Sequence, residues 1–182
     1  RRGEIDEEMG SIRVLIVDDS VVIRRLLAES LSRDPEIEVV GKAPSGRIAI
    51  AKATQLSPDV VALDVEMPEM DGLETLAGIR GVRPTLPVIM LCKNTEPGTA
   101  RALAAVAAGA NDYVIKPDSA LSTAVAIQRL HDDILLKIKT LVAGALTRVA
   151  SEAVPVAEAQ PPQEPPAEPE AYLEHVSNAA GR

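Results

Sequence analysis

Aromatic side chains are nearly absent from this chain of 182 residues: there is no Phe, no Trp and only two Tyr. A core must therefore be assembled from Val, Ile, Leu and Ala, and the stacking platforms that hold single-stranded nucleic acids are excluded. A single cysteine excludes an internal disulfide framework and any zinc site built from several thiolates. Positive charge is in deficit as well. Lys and Arg number 19 against 27 Asp and Glu, a formal net charge of −8, which offers no electrostatic footprint for a phosphate backbone. No nucleic acid is expected as a partner. No apolar run reaches membrane-spanning length, and the opening Arg-Arg-Gly-Glu-Ile-Asp-Glu-Glu lacks the apolar stretch of a signal peptide. The expectation is a cytoplasmic protein with no membrane insertion.

What remains is a soluble globular composition, 46% hydrophobic and 25% charged. The acidity sits at the ends. Residues 1–10 carry two Arg and four acids, and residues 151–182 carry six Glu against one Arg. The second stretch also holds six of the 14 Pro, interleaved with Ala and Glu, so it has little apolar surface to offset its ordering entropy. The expected organisation is an acidic N-terminal arm over 1–10, a folded domain over 11–149 with a long last helix, and a Pro/Ala/Glu-rich linker or disordered tail over 150–182.

Within the folded part, β-branched runs alternate with stretches of helical periodicity. Strands are predicted over 12–17, 38–40, 59–63, 87–91 and 112–115, with helices over 20–33, 45–55, 72–81, 98–109 and from near Ser119 onward. The strands are continuously apolar, as in a parallel sheet covered on both faces. The fold class is α/β, a doubly wound five-stranded parallel sheet.

Ligand sites in open parallel sheets form beyond the carboxyl ends of the strands, and here those ends are polar. The first strand runs into Asp18 and Asp19, the third into Asp64, and the fifth into Lys116 and Pro117. Carboxylates gathered at one edge repel one another, and a hard divalent cation such as Mg2+ relieves that repulsion, with the backbone carbonyl of Glu66 placed to complete the site. Lys116 supplies a compact positive charge for Asp64 or for an incoming phosphoryl oxygen. Each residue also has an ordinary reading: Asp-Asp-Ser before a helix is an N-cap, Asp64 a solvated loop acid, Lys116 a surface lysine. Together at one sheet edge, those ordinary readings require several coincidences.

Three segments carry a family resemblance: Val17-Asp18-Asp19-Ser20, Leu63-Asp64-Val65-Glu66-Met67-Pro68-Glu69-Met70-Asp71-Gly72, and Gly109-Ala110-Asn111-Asp112-Tyr113-Val114-Ile115-Lys116-Pro117. They resemble the receiver domains of two-component response regulators. Within that group, residues 12–19 and 63–72 and the Lys-Ile-Lys at 137–139 are most similar to the N-terminal regulatory domain of the chemotaxis protein-glutamate methylesterase. The resemblance covers about residues 12–142. It implies a flavodoxin-like sheet of strand order 2-1-3-4-5. It also implies that Asp64 accepts a phosphoryl group from a phosphohistidine on a sensor histidine kinase, that Asp18, Asp19, Asp64 and the Glu66 carbonyl hold Mg2+, and that Lys116 neutralises the phosphoryl charge. Tyr113, the only aromatic of the folded part, matches the family's switch residue; its ordinary reading is a half-buried Tyr.

The end of strand four departs from the family pattern. A Thr or Ser is usual there, and its hydroxyl couples phosphorylation to the switch aromatic; this chain has Cys92. A thiol is a weak donor, and losing a hydrogen bond to a charged group weakens a population shift by roughly tenfold or more. The following position, usually small, is Lys93. Its cation either covers the phosphorylation site or replaces the lost donor. The expectation is a receiver that accepts phosphate and switches weakly, with Cys92 not a nucleophile but a small, semi-buried residue.

In the methylesterase family a Pro-rich linker leads to a Ser-His-Asp catalytic domain. No Gly-x-Ser-x-Gly occurs in this chain and nothing after residue 150 suits a hydrolase, so methylesterase activity is not expected of these residues. They are read as an N-terminal fragment of such a protein or as a receiver without its output domain. The last helix carries an apolar stripe at Ile127, Leu130, Ile134, Ile138, Leu141 and Ala145. Packing on the sheet accounts for it up to about Ile134; the extension to Leu146 is read as a surface for an output domain, a partner helix or a second copy. The competing readings are a degenerate receiver that binds partners regardless of phosphorylation, for which Cys92 and Lys93 speak, and an aspartate-nucleophile phosphatase. That phosphatase class has Asp-x-Asp after its first strand, whereas Asp64-Val65-Glu66 follows the third. A dinucleotide-binding domain lacks its Gly-x-Gly-x-x-Gly here.

Overall fold

A computed structural model describes residues 10–117 and 124–152. The elements alternate throughout: β1 (Ile12–Val17), α1 (Val21–Leu31), β2 (Ile37–Ala43), α2 (Gly46–Leu56), β3 (Val60–Asp64), α3 (Gly72–Val82), β4 (Val88–Lys93), α4 (Glu96–Ala107), β5 (Asp112–Lys116) and α5 (Ala124–Glu152). All pairings are parallel and the strand order is β2-β1-β3-β4-β5. The expected doubly wound sheet is therefore present in the expected order, with β2 longer than its short apolar core predicts. The predicted start of the last helix, near Ser119, lies outside the described residues, as do the N-terminal arm through residue 9 and the tail beyond Glu152.

The strands are apolar on both faces because both faces are covered. Successive side chains point to opposite sides of a strand, so Leu15, Val17, Val61, Leu63, Val88 and Met90 meet Ala49, Ala53, Leu76, Ile79, Ala102 and Ala105 of α2, α3 and α4. The alternate positions Val14, Ile16, Val60, Ala62, Ile89, Leu91 and Val114 meet Leu27 and Leu31 of α1 and Leu130, Ile134 and Ile138 of α5. The α2, α3 and α4 contacts are largely Ala or mid-sized aliphatics, which lets the helices approach a sheet whose one aromatic, Tyr113, lies on the edge strand β5.

Caps set the helix starts at the functional edge. Ser20 accepts the Ile23 N–H at the start of α1, Thr95 accepts the Gly98 N–H at the start of α4, and Asp71 with Glu74 forms a reciprocal capping box on α3. Gly72 opens α3 against the end of β3, where an added Cβ would lie 2.7 Å from the Cα of Val65. Only glycine permits that approach, and it holds the β3–α3 loop close to Asp64.

The last helix packs further than its sequence reading allowed. Burial continues past Ile134 to Ile138, which is fully buried, and Leu141 is half-buried against the same cluster. Lys139 ties this part of α5 to the loop before β2 through Asp34 at 2.9 Å and through Glu36. Ala145 is exposed, and the side chain of Leu146 lies outside the described residues. Ile138→Ala is expected to destabilise the domain by about 2–4 kcal/mol, whereas Leu136→Ala, at a position 68% exposed, is expected to change it by no more than about 0.5 kcal/mol. Urea unfolding followed by circular dichroism distinguishes the two.

Candidate functional site

The pleat of the sheet delivers the charged groups. Asp18 continues the side-chain row of Ile16, Asp64 that of Ala62, and Lys116 that of Val114, each row lying on the face covered by α1 and α5. Past the ends of the strands no apolar partner remains, and the same row becomes a charged cluster. Asp18 and Asp64 are buried, Asp64 with 1% exposure, and Asp19 is exposed. Carboxylate oxygens of Asp18, Asp19 and Asp64 lie within 4.8 Å of one another.

Lys116 is the counter-charge. It starts from β5, two strands away from β3, and its buried ammonium reaches past the end of β4 to Asp64 Oδ2 at 2.8 Å and Asp18 Oδ2 at 3.0 Å. Burial works against that ammonium, but Asp64 and Asp18 outweigh burial and its pKa lies above the ordinary lysine value. For the Asp64 carboxyl, burial is the leading cause, the Lys116 ammonium opposes it and Asp18 adds to it, so the pKa is pushed up to about 6.

The remaining lone pairs are held by backbone. The Ser20 N–H donates to Asp18 Oδ1 at 2.8 Å, and the Glu66 N–H donates to Asp64 Oδ1 at 3.2 Å. Arg24, one turn into α1, donates from Nη1 to the carbonyls of both Asp18 and Asp19 at 2.5 and 2.9 Å. Sequence reading missed Arg24. Its signal was the spacing of six residues after Asp18, which places a long cation back over the β1–α1 turn.

The donor set fits a hard divalent cation. Three carboxylates converge, no Cys or His joins them among the described residues, and the exposed Asp19 leaves one side open to water. A cation there neutralises a repulsion that Lys116 alone leaves partly unbalanced.

The other expected residues fall around this cluster in different ways. Cys92 is fully buried, not half-buried as its ordinary reading supposed, and sits on the face covered by α2, α3 and α4. Its Sγ donates to the Val114 carbonyl at 3.6 Å, and burial pushes the thiol pKa up. Lys93 is exposed and pairs with the Glu66 carboxylate at 2.5 Å. Tyr113 is half-buried beside the cluster that includes α4, with the Lys137 ammonium 5.9 Å from its ring centre. No helix among the described residues is long and apolar enough to cross a membrane.

Comparison with known proteins shows the family and the fold. The family described as the response regulator receiver domain matches residues 14–127. The chain is 48% identical over 134 residues to a protein-glutamate methylesterase/protein-glutamine glutaminase of Nocardioides sp., an alignment covering 74% of this chain and 37% of that protein. It is 50% identical over 131 residues to the protein of the same name from Trichodesmium erythraeum, covering 72% and 37%. The chain thus spans little more than a third of the length of these relatives. Among solved structures, the response regulator domain of Thermotoga maritima CheB is similar with a TM-score of 0.63 and 35% identity, over 73% of this chain and 97% of that one.

The raised Asp64 pKa has a consequence for stability. A carboxyl whose pKa is higher in the folded than in the unfolded state stabilises the fold below its unfolded value near pH 4 and loses that contribution as pH rises through about 6. In metal-free buffer Asp64→Asn is expected to melt several degrees above the unsubstituted chain at about pH 7, with the difference closing below about pH 4. Thermal melts across that range check it; a difference independent of pH contradicts it. With three converging carboxylates, their lysine counter-charge and the matching relatives, the chain belongs to the response regulator receiver domain family.

Proposed function

We propose that this chain is the phosphoacceptor module of a two-component system of the chemotaxis type, in which Asp64 receives a phosphoryl group from a phosphohistidine on a sensor histidine kinase. The observation that carries this reading is the convergence of Asp18, Asp19 and Asp64 with the Lys116 ammonium on two of them. A surface acid needs no such arrangement.

In the reaction an Asp64 carboxylate oxygen attacks phosphorus and the bond to the imidazole nitrogen breaks, its electron pair staying on that nitrogen while the other ring nitrogen carries the proton, so that neutral imidazole leaves. The product is an aspartyl phosphate. With acetyl phosphate the bond to the acetate oxygen breaks instead and acetate leaves, with no proton transfer required. Asp18, Asp19, Asp64 and the Glu66 carbonyl are the residues that would hold Mg2+, which supplies charge neutralisation for the carboxylates and the phosphoryl oxygens when bound. Lys116 keeps its charge on the same oxygens, and the Glu66 N–H holds the Asp64 carboxyl in a fixed orientation. Preorganised charge of this kind is the main contribution a protein makes to phosphoryl transfer.

The similarity to methylesterases supports a second level of the reading: these residues regulate an output domain, with the Pro/Ala/Glu-rich residues 150–182 as the connecting linker and residues 1–10 as an acidic arm. The residues present have no hydrolase motif, so methylesterase chemistry is not assigned to them. A cytoplasmic setting follows from the kinase partner.

Incubation with acetyl phosphate and Mg2+, followed by intact mass, is expected to add one phosphoryl group. Chelation or Asp64→Asn abolishes the gain, and Lys116→Ala slows it by roughly a hundredfold. No gain in the unsubstituted chain refutes the reading.

The buried Cys92 favours weak switching, because its sulfur is committed to the Val114 carbonyl. Cys92→Ser is expected to enlarge the change in Tyr113 fluorescence on phosphorylation. An unchanged response refutes weak switching and leaves phosphoacceptance standing.

A further inference from the structure

The end of β4 lies between the two halves of the charged cluster. Because β4 separates β3 from β5, whatever stands at its carboxyl end is interposed between Asp64 and Lys116. Register places Leu91 opposite Asp64 and Lys93 opposite Lys116. A hydroxyl here would face an incoming phosphoryl group as a neutral donor. Cys92 does not fill that role, since it is buried with its Sγ on a β5 carbonyl.

Lys93 brings a cation to the same strand end. Its side chain is 59% exposed and its ammonium is 2.5 Å from Glu66 Oε2. Glu66 lies two residues past Asp64, and its own N–H donates to Asp64 Oδ1. The ammonium is therefore docked on the loop that orients the phosphoacceptor. Exposed ion pairs contribute little net stability, so this contact exchanges readily. Arg101 and Lys116 also act on the Glu66 carboxylate, more weakly than Lys93 does.

We propose that Lys93 is a second phosphoryl-binding cation, held on Glu66 in the unphosphorylated chain and transferred to a phosphoryl oxygen when Asp64 is modified. This rests on the phosphoacceptor reading above. The exchange is favourable because a phosphoryl group carries more negative charge than one carboxylate, and the four-carbon lysine stem has the reach to follow it. The chain thereby replaces a neutral hydroxyl donor with a mobile ammonium, and Glu66 competes with the phosphoryl group for it.

The test is the rate of Mg2+-dependent labelling by acetyl phosphate, read by intact mass, in the unsubstituted chain and in K93A, E66Q and the double variant. Lys93→Ala is expected to label roughly tenfold or more slowly with an unchanged Mg2+ midpoint, which separates a contact to the phosphoryl group from one to the metal. Glu66→Gln is expected to label faster by releasing Lys93, and that gain is expected to vanish in the K93A background. A K93A rate equal to or above that of the unsubstituted chain overturns the proposal, as does an E66Q gain that survives in the double variant. Thermal melts of each variant identify any loss of folding, which the exposure of Lys93 makes small. Absence of labelling in the unsubstituted chain appears before any variant is compared and removes the underlying reading together with this one.

Discussion

Lys116 resolves the conflict that the end of the sheet creates. A parallel sheet aligns the carboxyl ends of its strands at one edge, and this chain places Asp18 and Asp64 there out of water, with Asp19 beside them. Such a cluster is unfavourable by itself, as burial of the charged form is what raises the Asp64 pKa. The ammonium from β5 bridges Asp64 and Asp18 across the end of β4 and so ties the two central strands to the edge strand. Part of the repulsion remains, and a divalent cation would relieve it. The stability sacrificed in this cluster and the chemistry proposed for it have the same origin.

That arrangement demands a rigid support, and the fold supplies it mainly with aliphatic residues. Two clusters, one on each face, lock the strands in register, and Gly72 and the capping box of α3 keep the loop after β3 close to Asp64. Arg24 does the same for the loop after β1 by binding the carbonyls of Asp18 and Asp19. The long α5 is anchored farther along its length than sheet packing by Ile134 alone requires, through Ile138, Leu141 and the Lys139 contacts to the loop before β2. Its outward positions near Leu136 are left as surface.

Above this frame, the end of β4 carries Cys92 and Lys93 side by side. Cys92 turns its sulfur into the sheet and Lys93 turns its charge outward onto Glu66. Adjacent residues on a strand point to opposite faces, so a change at one of them leaves the other free to take a separate role. The relatives are much longer proteins, of which this chain covers 37%.

Much of this could be read in the sequence because the deciding signals are local. Apolar runs separated by helical periods identify five strands and their helices, with boundaries that shift by a few residues; Asp18, Asp19, Asp64 and Lys116 stand at strand ends whatever the strand order. The order itself, and the switch role expected of Tyr113, came through resemblance, since no periodicity encodes which strands are neighbours. Contacts between distant residues were decided only by the tertiary structure. The bond from Cys92 to Val114 depends on the register of β4 against β5, the Lys93–Glu66 pair on the end of β4 meeting the loop after β3, and the grip of Arg24 on the angle at which α1 leaves β1. Residue chemistry and spacing determine which groups arrive at the edge. Distances of a few ångströms between them follow from the register and twist of the assembled sheet, which are set by packing across the whole domain.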